Sequence, residues 1–446
     1  MPATQCISSI QVQLRERPLK IAGDAPSVSS DGGALLLRKQ DDQLGLTAAF
    51  ARLLEDHRHP VFVVHERIEQ LRQRVYQICL GYEDCNDAAP LRRDELLQLA
   101  CGVDHPLSSQ PTLARFENGV TWRELKLLWR EFERQYIDSL DPATTSIVLD
   151  IDSTDDPTHG NQQLSMFHGF YDQHMFHPLL VFDGETGQLV TAVLRAGNAH
   201  AARGAVGTLR RLIRAIKRRC PNATVLVRGD SAFGIPRVME VLEQLSDELG
   251  GVHYVFGLVK NPRLLAVAAP LIATASERFE RTGEFVRIFE SHTYQAGPWS
   301  HARRIIVKVE YGTRGENPRF LVTTLSTEDP QSIYDGVFCR RGQAENRIKD
   351  FKNALRADRL SCHRFVANSL RLFLHALAYR LMFALRASTS AVAPALANVQ
   401  MDTLRLRLLK VAAQVVTSVR RILVRLPAVF PELQTFVALM ARLSPS

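Results

Sequence analysis

The chain has 446 residues, 46% of them hydrophobic and 23% charged. This is a globular composition that excludes a fibre or a disordered chain and, at roughly 100–200 residues per domain, implies two to four domains. The net charge of +8 is unevenly placed: residues 1–140 carry 17 basic and 20 acidic side chains, 141–339 carry 20 and 22, and 340–446 carry 18 and 5. An anionic partner is therefore expected along the last quarter of the chain. Seven cysteines without a Cys-x-x-Cys pair exclude a disulfide framework and a zinc ribbon, and suggest a reducing cytosol. The N-terminal MPATQCISSIQVQ has no basic segment followed by an apolar one, and no run of ~18 uncharged apolar residues exists, so neither a secretory leader nor a membrane span is expected.

Residues 32–140 read as helical. Ala48, Leu53 and Leu54 suit an apolar helix face, and Ile68, Leu71, Val75 and Ile78 recur at three- and four-residue steps. SSQPTLARFENG reads as a short helix stopped by Gly119, and Thr121 with Glu124 has capping-box spacing for the next one. Two short helices around 92–117 form either a helix-turn-helix or a plain packing layer. From 146 the period changes to two. SIVLDID, 177–182 and 188–194 read as strands, the last two joined by the turn 183–187. A helix at 204–219, a strand at 224–230, a helix opened by Pro236 and a strand at 253–260 complete a mixed α/β layer. Alternation in FVRIFESHTY and RRIIVKVEY, with turns at Gly297-Pro298 and Gly312–Gly315, predicts a small all-β insertion over 262–329. After Pro330 the chain is expected to be helical to its end, apart from a break near 387–397. Its segment 365–385 reads as a buried helix with Arg371, His375 and Arg380 as a polar stripe.

Three places carry chemistry. In VLDIDSTDD, Asp150 and Asp152 lie two apart and share a strand face; Asp155 and Asp156 read as a polar turn, as does His159. A second apolar strand ends in Asp230 and turns into a helix. In FCRRGQAENRIKDFK, Phe338, Arg341, Lys349 and Lys352 stand at −7, −4, +4 and +7 from Glu345, one face of an α-helix. That stripe is either a surface salt-bridge ladder or a carboxylate held among cations for phosphates. Together, two strand-end aspartates and a helical glutamate form a three-carboxylate pocket whose hard oxygens suit Mg²⁺ or Mn²⁺. Two such ions ~3.5–4 Å apart would serve an in-line phosphoryl transfer. Arg405, Arg407, Lys410, Arg420, Arg421 and Arg425 extend the basic theme among apolar residues; a DNA, membrane or dimer face would each suit, and nothing else in the sequence supports a membrane.

On these motifs the chain resembles the DDE transposases of bacterial insertion sequences, in the cut-and-paste branch with a β-strand insertion. The Asp-x-Thr motif is matched by Asp152-Ser153-Thr154, the strand-closing Asp by Asp230, and Tyr-x2-Arg-x3-Glu-x6-Lys by Phe338, Arg341, Glu345 and Lys352. Phe338 stands where that motif has Tyr, keeping the ring and losing the hydroxyl. The resemblance spans about 146–360. It implies a ribonuclease-H-like core, with Asp152, Asp230 and Glu345 as catalytic ligands for two Mg²⁺ ions. It also implies Phe338, Arg341, Lys349 and Lys352 on DNA, Asp150 as an auxiliary ligand or a decoy, Thr154 as an auxiliary group, and Trp299 stacking on an unpaired base or covering a small β-core. The expected partners are double-stranded DNA, as transposon-end inverted repeats and target, and a second copy of the chain in a homodimer. The expected place is the cytoplasm, on the nucleoid when bound.

The expected domains are a helical DNA-binding region (1–140), a catalytic core (141–261 and 330–386), the insertion (262–329) and a basic helical region (387–446). A ribonuclease-H-like nuclease or resolvase without strand transfer, and a domesticated DNA-binding derivative, are the rival readings.

Overall fold

The computed structural model describes residues 10–14, 17–21, 27–326 and 329–444. The leader reading rests mainly on residues 1–9, outside that range. The first strands, β1 (Ile10–Leu14) and β2 (Arg17–Ile21), pair as an antiparallel hairpin. Seven helices follow: α1 (Ala34–Leu44), α2 (Leu46–Ala51), α3 (Arg67–Leu80), α4 (Ala88–Leu91), α5 (Glu95–Cys101), α6 (Gln110–Gly119) and α7 (Trp122–Ser139). In α3 the predicted apolar stripe is buried at Leu71, Val75 and Ile78. The expected capping box opens α7, with Thr121 Oγ1 accepting from the Glu124 amide and Glu124 accepting from the Thr121 amide. α5 and α6 are the helices read as a possible helix-turn-helix; residues 102–109 join them, longer than the three- to four-residue turn of that motif.

The central feature is one eight-stranded sheet. Its strands are β3 (Ser146–Ser153), β7 (Leu179–Asp183), β8 (Leu189–Val193), β9 (Thr224–Gly229), β10 (Val252–Leu258), β11 (Val286–Tyr294), β12 (Arg303–Gly312) and β13 (Gly315–Thr323). Their order is β11-β12-β13-β10-β9-β3-β7-β8. β3, β9 and β10 run parallel, and the outer pairings are antiparallel. A small separate sheet of β4 (Asp156–Pro157), β6 (Gln173–Phe176) and β5 (Met166–His168) was not expected from the sequence.

Alternation along β3 sorts its side chains. Ile147, Leu149 and Ile151 join Val225 and Val227 in a buried core with Leu209, Leu212 and Ile213 of α8 (Ala205–Arg219) and Leu242 of α9 (Pro236–Leu249). Asp150 and Asp152 are turned to the opposite face. There, rings of Phe182 and Phe351 pack edge-on to Tyr379 of α12 (Phe365–Ser390), the long apolar helix foreseen at 365–385. Among the described residues no helix is long and apolar enough to cross a membrane.

Two expectations are corrected. Residues 262–329 are not all β: α10 (Pro262–Thr282) occupies their first third, capped by Asn261, whose Oδ1 accepts from the Leu264 amide. The remaining strands β11–β13 extend the central sheet through the β10–β13 pairing. The helical signal was an Asn-Pro start followed by buried Leu264, Ala268 and Ala275, at steps of four and seven along one helix face. Nor is the C-terminal stretch helical throughout. After α11 (Gly342–Lys349), α12 and α13 (Met401–Leu404), residues Gln414–Thr417 and Ile422–Arg425 pair as the hairpin β14–β15, before α14 (Leu433–Leu443). The β-branched run QVVT and the run ILVR suit that pairing better than a helix.

The chain divides into two compact units. One holds residues 1–52, 56–114 and 381–446; the other holds 53–55 and 115–380, including the whole central sheet.

Candidate active site

Parallel β3 and β9 lie side by side, with Asp150 paired in register with Arg228. This sets the strand end of β3, bearing Asp152, beside the end of β9, where Asp230 begins the turn into α9. Asp230 Oδ1 accepts from the Ala232 amide at 3.0 Å and shapes that turn. Gly257 on the neighbouring β10 admits the turn closely: a Cβ there would lie 3.0 Å from the Ser231 nitrogen. Glu345 comes from α11, exposed on the first turn of that helix.

The three carboxylates act on one another. Asp152 is only 9% exposed, and burial raises its carboxyl to about 6; Asp230 and Glu345 push the same way, against the guanidinium of Arg341. Arg341 Nη2 donates to Asp152 Oδ2 at 3.0 Å, and the Ser153 amide donates to Oδ1 at 2.8 Å. The three groups do not gather as tightly as a closed ligand set; their oxygens do not all come within 4.8 Å of one another.

The helix around Glu345 departs from the ideal spacing used to read its face. It is widened to π turns at Ser332–Phe338 and Asp350–Ala354 and tightened at Cys339–Arg341. The stripe residues accordingly divide. Arg341 reaches Asp152, whereas Lys352 Nζ donates to Asp155 Oδ1 at 2.7 Å. Burial alone would raise Asp155, but the hydrogen bond and charge of Lys352 outweigh it and hold that carboxyl below its usual range. Lys349 is exposed, and Phe338 is half-buried with its ring 5.9 Å from that of Tyr334. Thr154 is buried, its amide donating to the Pro178 carbonyl at 3.1 Å.

Of the two readings of Asp150, auxiliary ligand or decoy, its surroundings suit the second. It is 1% exposed, and both its oxygens are taken by Arg228, at 2.7 and 2.9 Å, with Arg347 Nη1 at 3.3 Å. Arg228 also donates to the Val337 carbonyl, and Arg347 to the carbonyls of Asp183 and Gly184. This buried network ties the Glu345 helix to the strands carrying Asp152. Gly184 makes room for it, since a Cβ there would lie 2.8 Å from Arg228 Nη2. Trp299 is likewise no free platform: it is 6% exposed, edge-on to Tyr294, with the Arg303 guanidinium against its ring. Asp156, read as part of a polar turn, is a buried residue of β4; burial and then Asp358 push its carboxyl well above the usual range.

Tyr171 was not foreseen. It is half-buried, and burial followed by the charges of Asp155, Asp152 and Asp230 raises its hydroxyl, which therefore stays protonated beside the acidic group. No spacing marks it, because it lies in the loop between β5 and β6. Arg228 and Arg347 were also missed, and only the β3–β9 register pairs the first of them with Asp150.

A family model for the transposase DDE domain, group 1, matches residues 11–446. The chain belongs to that family. No curated protein matches it. Among solved structures it is similar to a piggyBac transposase in a synaptic complex with hairpin DNA, at 12% identity over 84% of this chain and 79% of that one, with a TM-score of 0.46.

Proposed function

We propose that this DDE transposase binds the terminal inverted repeats of its own insertion sequence and carries out cut-and-paste strand cleavage and strand transfer. Asp152, Asp230 and Glu345 are the catalytic carboxylates. The observation that carries the reading is the placement of Asp152 at the end of β3 beside Asp230 at the end of parallel β9, with Arg341, four residues before Glu345, donating to Asp152. The five strands β8-β7-β3-β9-β10 support a ribonuclease-H-like core: in chain order they stand third, second, first, fourth, fifth, with the second antiparallel to the first.

The donor set fits a hard divalent cation, since carboxylate oxygens prefer Mg²⁺ or Mn²⁺ and an acidic pocket favours added positive charge. Held by Asp152, Asp230 and Glu345, two such ions would supply Lewis acidity for in-line attack on phosphorus. The protein's own groups do the positioning. Arg341 and Lys352 are each within reach of a carboxylate that DNA phosphates can replace, and exposed Lys349 adds charge on the same helix. Two copies would hold the two ends, with basic residues 340–446 along the duplex.

The test is cleavage and joining of DNA bearing the element's inverted repeats by purified protein with Mg²⁺. Glu345→Gln and Asp230→Asn proteins should retain end binding and lose both products. Normal cleavage by either sinks the assignment, and cleaved but never joined product from the unaltered protein would favour a nuclease.

A further inference from the structure

Among the described residues one set of three metal-ligating side chains has its ligand atoms all within 4.8 Å: His65, Glu69 and His105. It lies in the unit that does not contain the central sheet. We propose that these residues bind a zinc-type divalent cation, at a site separate from the catalytic carboxylates.

His65 directly precedes the cap of α3, and Glu69 lies four residues on, in its first turn. His65 Nδ1 is 3.6 Å and His105 Nε2 is 3.9 Å from the same oxygen, Glu69 Oε2. Ligands about a tetrahedral zinc, at roughly 2.0–2.1 Å each, stand roughly 3.3 Å apart. Contraction of roughly 0.3 and 0.6 Å would bring these two pairs to that spacing, and the ligand atoms of His65 and His105, within 4.8 Å of each other, would close with them. His105 comes from the loop between α5 and α6, and its ring lies 5.2 Å from that of His65 at 54°.

The orientation of the ligands is the second, independent observation. His105 Nδ1 sits 3.2 Å from the Pro106 carbonyl; donating there leaves the Nε2 lone pair aimed at the group. A histidine whose other nitrogen is held by a carbonyl is the usual outer-shell arrangement of a metal ligand. Glu69 Oε2 also accepts from the Glu66 amide at 3.3 Å, which fixes the carboxylate. The His65 carbonyl accepts from Arg58 at 2.7 Å, which fixes the backbone of the third ligand.

Two imidazoles and one carboxylate suit zinc better than magnesium, which prefers oxygen and water. Three protein ligands leave a fourth position for water, and His105 is 37% exposed, so solvent has access. An ion there would clip the 102–109 loop to the start of α3. Arg58 and Arg92 both act on His65 and oppose any added charge, which favours moderate affinity.

The experiment uses full-length protein stripped with chelator and titrated calorimetrically with ZnCl₂ in excess Mg²⁺. The unaltered protein and Glu345→Gln are expected to bind the same equivalent of zinc and to melt a few degrees higher with it. His105→Ala and Glu69→Gln should each lose that equivalent or weaken it at least ~10-fold. Cobalt(II) bound in its place should show visible absorption that both variants abolish. The proposal is overturned if unaltered protein takes up no zinc, or if either folded variant keeps the full stoichiometry and affinity. Loss of zinc by Glu345→Gln alone would assign the ion to the catalytic pocket and overturn it as well.

Discussion

Replacing Asp150 by Ala separates two roles for a carboxylate two residues along β3 from Asp152. In the structure the side chain is 1% exposed and holds Arg228 through two bonds of 2.7 and 2.9 Å, with Arg347 at 3.3 Å. Alanine removes the counter-charge of both guanidiniums. Arg347 keeps two carbonyl acceptors, whereas Arg228 keeps only the Val337 carbonyl. Breaking a buried pair from one side costs about 3–5 kcal/mol. At ~2 °C per kcal/mol for a unit of this size, the melting transition of the sheet-bearing unit should fall by ~6–10 °C. Hydrogen exchange should rise first at β3 and in the segment before Glu345, because Arg228 and Arg347 join these segments to Asp150 while only Arg341–Asp152 is left unaltered. Differential scanning calorimetry with exchange mass spectrometry measures both effects. An Asp150→Ala protein of unchanged stability that has lost Mg²⁺-dependent cleavage would refute the reasoning and return Asp150 to the ligand set.

Asp152, raised from 3.8 to about 6, opposes folding once ionised, because the unfolded carboxyl gives up its proton more easily. That cost grows as pH rises through the interval between those two values and is complete above about 6. Asp152→Asn should therefore be more stable than the unaltered protein at pH 8 in the absence of metal, by up to roughly 3 kcal/mol at about 1.4 kcal/mol per pKa unit, and no more stable at acid pH. Its cleavage activity should be absent; metal-free denaturation at several pH values and a cleavage assay with Mg²⁺ check both. Lys352→Ala should weaken end binding and flatten its dependence on salt, read as the slope of log affinity against log salt by fluorescence anisotropy. Trp299→Ala should cost about 3–5 kcal/mol of stability as a core truncation. Single-stranded DNA binding by the folded fraction should not change.

The sequence by itself determined the local chemistry of this protein. Period-two runs ending in Asp152 and Asp230 specify strands, and the Thr121–Glu124 spacing specifies a capped helix; both signals depend on neighbours within a few residues. The gathering of charge in the last quarter is likewise legible, because charge is a property of composition. The sheet register was not legible. It pairs Asp150 with Arg228 across 78 residues and so makes a residue read as auxiliary ligand or decoy the anchor of a buried network. The same limit explains Tyr171, which lies in a loop with no period, and Trp299, whose burial depends on what packs over it. The helix of Glu345 shows the boundary within one element: its residue types announce cations around a carboxylate, but its π turns redirect Lys352 to Asp155. Residue type and spacing are read along the chain, whereas partnership is decided by which strands lie adjacent and in which register. That is a property of the packed chain alone.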